Sequence, residues 1–169
     1  MLISGSIDQL ARQLGDILLN HKLKITTAES CTGGWLSQAI TSVPGSSNWI
    51  DRAYITYSNK AKHDMLDVDK KVLDDKGAVS QEVVEQMAAH ALKKSNSNIS
   101  VAISGIAGPD GGSEEKPVGT VWIGIAVKTK DLEDVSFASK LLHLKGDRTI
   151  IRQQAVQHAL SSVIEIFEK

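Results

Sequence analysis

The chain has 169 residues, 41% hydrophobic and 23% charged, which is the balance of a soluble globular protein rather than a disordered or low-complexity one, and residues 1–169 are expected to form a single domain. Nineteen Lys and Arg against twenty Asp and Glu leave a formal charge of -1, and aromatics are only 4%, so neither a field that attracts nucleic acid nor a base-stacking platform is supplied. A single cysteine excludes an internal disulfide and a cysteine-rich metal site; the longest apolar run, 121–127, is far below the roughly 18 residues of a membrane span, and the N-terminus lacks a signal pattern, so a cytoplasmic protein is expected.

Ser6 followed by Gln9 is a capping box, and Ile7, Leu10, Leu14, Ile17 and Leu18 trace one apolar helix face to about residue 20. A strand is expected over 23–27 and a helix over 32–41, before Pro44, Gly45 and Ser46 mark a loop. A second strand is expected over 52–58 and a helix over 59–66; the densely charged stretch 60–76 reads as a solvated face. Ser80 caps a helix to about residue 94, and 99–104 is a buried third strand. Residues 105–117 are too rich in Gly and Pro for regular structure. An antiparallel pair follows over 119–127 and 135–144, joined around 131–134, and a last helix capped by Asp147 turns Ile150, Ile151, Ala155, Ala159, Val163 and Ile166 inward. Helices alternating with β-branched runs predict an α/β fold, and crossovers combined with a hairpin predict a mixed sheet with helices on both faces.

Four segments carry more polar and glycine chemistry than packing requires. Glu29-Ser30-Cys31-Thr32-Gly33-Gly34 lies between a strand and a helix, where a nucleophile would be exposed beside free helix amides; Ser30 or Thr32 acting only as a helix cap is an equal alternative. Tyr57-Ser58-Asn59-Lys60-Ala61-Lys62 brings a phenol, an amide and two ammonium groups to another strand end, and a desolvated Lys62 can take a serine proton, although surface lysines are the ordinary reading. Ser104-Gly105-Ile106-Ala107-Gly108-Pro109-Asp110-Gly111-Gly112 lets backbone amides approach a bound group closely, or is a long hairpin connection; it matches neither a P-loop nor a dinucleotide fingerprint. Arg148 and Arg152 share one helix face, where an arginine can meet a phosphate bidentately or remain a surface group. The first three segments leave strands at their carboxyl ends, where open α/β sheets bind ligands. The five histidines make no ligand spacing with carboxylates, so no metal is expected.

Together these segments resemble the CinA C-terminal domain family through TAESCTGGW, TYSNKAK, GAVS, SGIAGPDGG, KPVGTVWIGIA and GDRTIIRQQAV, in that order from about Ile25 onward. Stand-alone members of that family are nicotinamide-nucleotide amidases. The resemblance implies a three-layer α/β/α sandwich with a mixed sheet of about five strands. It also implies hydrolysis of the carboxamide of nicotinamide mononucleotide to nicotinate mononucleotide and ammonia in pyridine nucleotide recycling, with no cofactor. Carried over, Ser30 is the nucleophile, and Lys62 and Tyr57 activate it or hold its proton. The pyridine nucleotide then falls to Glu29, Cys31, Thr32, Gly33, Asn59, Ser104, Gly105, Ala107, Gly108 and Arg148. Two other readings stay open: attack by Cys31, whose thiolate a helix start would favour, and a nucleotide-binding module without turnover. No nucleic-acid or membrane partner is expected. Trp35 or Trp49 could lie in a homo-oligomer interface or equally in the core.

Overall fold

The computed structural model describes residues 5–128 and 134–168. Helix α1 (Ile7–His21) starts on the Ser6–Gln9 capping box and ends at Lys22, which takes φ 56°. Leu23 still donates its amide back to Leu18, so the chain is turning where a strand was expected, and β1 (Ile25–Glu29) begins two residues later. Helix α2 (Trp35–Thr41) begins three residues later than the spacing predicts, because Gly33 and Gly34 take φ 59° and 98° and hold residues 31–34 as a turn.

Strand β2 (Ile50–Ile55) lies earlier than predicted. Ser58 is withdrawn from it to cap α3 (Asn59–Leu66), accepting the Ala61 amide at 3.0 Å. Within the charged stretch the structure adds an unexpected helix, α4 (Lys70–Lys76), capped by Asp69 and anchored by buried Leu73. Helix α5 (Gln81–Lys93), strands β3 (Ile99–Gly105), β4 (Thr120–Lys128) and β5 (Val135–His143), and helix α6 (Arg148–Ile164) complete the order. The expected hairpin tip falls mostly outside the described residues. Ile150 is 42% exposed rather than inward, since the buried stripe of α6 runs through Ile151, Ala155, Ala159 and Val163.

The five strands form one mixed sheet in the order β2-β1-β3-β4-β5. Strand β1 pairs parallel with β2 and β3, while β4 is antiparallel to β3 and β5. Side chains alternate across it. Val101, Ile103, Ile123 and Ile125 pack against α1, α2 and α6, whereas Ala28, Ala102 and Ala126 face the α3–α5 layer. Small residues on that second face let α5 approach closely: a Cβ on Gly124 would sit 2.7 Å from the Val84 carbonyl oxygen. Trp49 is core, 1% exposed against Gly15 of α1.

The parallel arrangement brings the carboxyl ends of β1, β2 and β3 to one edge, with the segments of Ser30, Lys62 and Gly105 following them. Gly119 ties a fourth segment to the same edge. Its amide donates to Ile106, its carbonyl accepts from Leu144, and a Cβ would lie 1.9 Å from the Leu144 oxygen at φ 94°, so only glycine fits. This close contact carries the chain into α6 with Arg148 beside the glycine loop. Among the described residues no helix is long and apolar enough to cross a membrane.

Candidate active site

The turn after β1 is built around a buried carboxylate. Glu29 accepts the amides of Gly34, Leu36 and Ser37 at 3.0, 3.0 and 2.8 Å, the Thr32 hydroxyl at 2.7 Å, and the Ser37 hydroxyl. The otherwise orphaned amides at the start of α2 therefore already have their anion, and the negative charge sits where the helix dipole favours it. Glu29 is fully buried and stands outside the cleft, so it is corrected from a substrate contact to the scaffold of the turn. Thr32 is corrected likewise, being fully buried with its hydroxyl spent on Glu29. The Gly33 amide is also committed, donating to the Ser30 carbonyl at 3.0 Å.

Ser30 is held from the other side by its own amide, which donates to the Ile103 carbonyl of β3 at 2.9 Å. Its hydroxyl points to Lys62, whose Nζ lies 2.9 Å from Oγ. Lys62 is 1% exposed and, among the described residues, makes no ion pair; Nζ instead meets the carbonyls of Thr56 at 2.8 Å and Tyr57 at 3.3 Å. Burial without a carboxylate pushes the ammonium down from 10.5 to about 8. The geometry serves both protonation states. A protonated Nζ can donate to three oxygens; a neutral Nζ can donate to the two carbonyls and offer its lone pair to the Ser30 hydroxyl proton.

Cys31 lies beside Ser30, and its surroundings disfavour the thiolate. It is 7% exposed, and burial pushes its thiol up from 9.0 to about 11 despite the nearby cations.

Ser30 and Lys62 open into a cleft of about 270 Å³ whose far wall is the glycine loop after β3. Ser104, Gly105, Ala107 and Gly108 line it, and Ser104 is fixed by donating its hydroxyl to the Ala78 carbonyl at 2.7 Å. The cis peptide at Gly108-Pro109 lies in this wall. Arg148 stands at the mouth, its guanidinium donating to the Gly108 carbonyl at 2.7 Å and to the Tyr57 hydroxyl at 3.0 Å.

That last bond corrects the expectation for Tyr57. Its phenol is exposed and held by Arg148, and it is the Tyr57 backbone carbonyl, not the ring hydroxyl, that meets Lys62. Asn59 is exposed at the start of α3 and does not line the cleft. The cleft also includes Ala78, Val79, Ile106, Asp110 and Gly111, which the sequence reading left unassigned. Ala78 and Val79 sit in the GAVS motif, and the other three in the glycine loop, so both segments were visible while the positions facing the cleft were not.

The sequence pattern of the CinA C-terminal domain matches residues 7–167. Nicotinamide-nucleotide amidohydrolase PncC of Escherichia coli (strain K12) is 47% identical over 166 residues, covering 98% of each chain. The protein of the same name from Pseudomonas putida is 44% identical over 160 residues, covering 95% of this chain and 96% of the relative. Among solved structures, the competence/damage inducible protein CihA from Agrobacterium tumefaciens superposes with a TM-score of 0.91 at 40% identity, covering 99% of both chains. With a domain match over almost its full length and relatives at this level of identity, the chain belongs to the CinA C-terminal domain family.

Proposed function

We propose that this protein is an amidohydrolase that converts nicotinamide mononucleotide to nicotinate mononucleotide and ammonia, with Ser30 as nucleophile and Lys62 as its base, in pyridine nucleotide recycling. The observation that carries the reading is the 2.9 Å contact between the Ser30 hydroxyl and a buried lysine whose pKa is lowered to about 8. The substrate is inferred from the named activity of near full-length relatives that are 44–47% identical.

The step sequence follows from the proton inventory. Neutral Lys62 takes the Ser30 hydroxyl proton as Oγ bonds to the carboxamide carbon, and the carbonyl electron pair moves to oxygen. When the tetrahedral centre collapses, the C–N bond breaks and Lys62 returns the proton to nitrogen, releasing ammonia and leaving a nicotinate ester on Ser30. Water then gives a proton to Lys62 and hydroxyl to the acyl carbon. As the bond from the acyl carbon to Oγ breaks, Lys62 returns that proton to Ser30, and the freed acid loses its own proton to solvent as the carboxylate.

Arg148, exposed at the cleft mouth, is suited to the substrate phosphate, since a guanidinium fork matches phosphate oxygens. The test is ammonia release by purified protein from a panel of the mononucleotide, the riboside, free nicotinamide and the dinucleotide. Turnover of the mononucleotide above the others is expected; tight binding in calorimetry with no product would replace the enzyme by a binding module.

A further inference from the structure

Arg152 lies one turn after Arg148 on α6, half-buried and outside the cleft lining, yet its guanidinium reaches the turn that carries Ser30. Nε donates to the Cys31 carbonyl at 3.1 Å and Nη2 to the Thr32 carbonyl at 2.9 Å, so one planar fork takes two successive carbonyls. The Trp35 ring lies 5.4 Å from the guanidinium carbon and supports it by a cation–π contact.

A trans peptide unit is planar, so fixing a carbonyl fixes the next residue's N–H in the opposite direction. Arg152 thereby sets the directions of the Thr32 and Gly33 amides. The Gly33 amide closes the turn onto the Ser30 carbonyl. The positive charge of Arg152 also reaches this turn, where it favours the anionic form of Cys31. Neither carbonyl partner cancels that charge.

We infer that Arg152 is a positioning residue for the proposed hydrolysis: by clamping the Cys31 and Thr32 carbonyls it holds the Gly33 amide on the Ser30 carbonyl and so keeps Ser30 Oγ aimed at Lys62 Nζ. The inference rests on the reading of Ser30 as nucleophile. Glu29 clamps the amides of the same turn from the helix side, so the turn is held by an anion on its donors and a cation on its acceptors.

Arg152→Lys keeps the charge but cannot take both carbonyls in one plane. It is expected to lower kcat for nicotinamide mononucleotide by about 10²-fold while KM changes less than about threefold, because a displaced Ser30 hydroxyl slows the chemical step without removing a substrate contact. In Arg152→Gly, millimolar methylguanidine is expected to restore kcat where methylamine does not, a rescue that a merely structural role would not show. Thermal melting of both variants checks the fold.

A second readout needs no nucleotide. A fluorophosphonate probe esterifies an activated serine, and its attachment to Ser30, followed by intact mass, is expected to slow in Arg152→Lys and to recover in Arg152→Gly with methylguanidine. Unchanged kcat and unchanged labelling in Arg152→Lys, or a loss confined to KM, would overturn the role of Arg152 while leaving the substrate reading in place. Arg152-dependent labelling of Ser30 in a protein that releases no ammonia would overturn the substrate reading and sustain the positioning role.

Discussion

The burial of Lys62 fixes where the activity should rise with pH. An amine held at about 8 is neutral in about one molecule in ten at pH 7, whereas a lysine at 10.5 would be neutral in about three in ten thousand. Burial therefore multiplies the population of base about 300-fold at neutral pH. If the neutral amine takes the Ser30 proton, kcat/KM for ammonia release should climb about tenfold per pH unit below 8 and level off above it. Lys62→Arg places a permanent cation at the same point and should lose 10²- to 10⁴-fold, with no rise across the range. The assay is initial-rate ammonia release from pH 6 to 10 for both proteins, with thermal melts to establish folding. A flat wild-type profile between pH 6 and 9, a midpoint near 10, or a Lys62→Arg protein at wild-type rate would refute the assignment.

Stability carries the same signature. Between about pH 8 and 10.5 the unfolded chain binds a proton at Lys62 that the folded chain does not, so stability rises with pH there and the burial cost of the protonated form, roughly 3 kcal/mol, is relieved. Cys31 acts oppositely above pH 9, because its folded pKa of about 11 keeps a proton that the unfolded thiol loses. The interval from pH 8 to 9 is thus where wild type should gain stability that Lys62→Met does not.

Cys31→Ala should keep kcat within about threefold and lose about 1 kcal/mol of stability, since a thiol at about 11 is ionised in about one molecule in ten thousand at pH 7; a loss near 10²-fold in the ammonia assay would return the attack to sulfur. Tyr57→Phe removes the hydroxyl that Arg148 holds, so KM should rise severalfold while the pH midpoint stays in place; a midpoint displaced by a full unit would show the phenol sharing the proton. Glu29→Ala strands the amides of Gly34, Leu36 and Ser37 and should cost about 3 kcal/mol in urea unfolding; a cost below about 1 kcal/mol would contradict its role as scaffold.

The sequence displayed this architecture unevenly, for physical reasons. The β4–β5 pair was legible because both strands are long and β4 is rich in β-branched residues, and α3 was legible in extent although its cap, Ser58, reads as the end of a strand. Strand β1 was misplaced because three of its five residues, Thr26, Thr27 and Glu29, are polar yet fully buried. Thr26 donates its hydroxyl to the Arg52 carbonyl, Thr27 pairs with Ser37, and Glu29 is consumed by α2, so hydrophobicity could not mark it. Helix α4 was hidden among lysines and aspartates, since a single buried leucine is a weak period.

At the site, residue types announced the chemistry but not the partners. Ser30 and Lys62 are 32 residues apart, and their contact arises from parallel pairing of β1 with β2, which local spacing does not encode. The same limit explains Glu29, whose carboxylate turns to the start of α2, and Tyr57, whose hydroxyl meets Arg148 while its backbone carbonyl meets Lys62. It also explains Arg152, whose partners lie 120 and 121 residues away in sequence.

The reaction assigned to Ser30 is tested most directly by ammonia release from saturating nicotinamide mononucleotide, measured side by side for wild type and Ser30→Ala. Steady turnover by wild type with a loss of at least about 10⁴-fold in a folded Ser30→Ala protein is the expected result. Undiminished ammonia release from Ser30→Ala would contradict it.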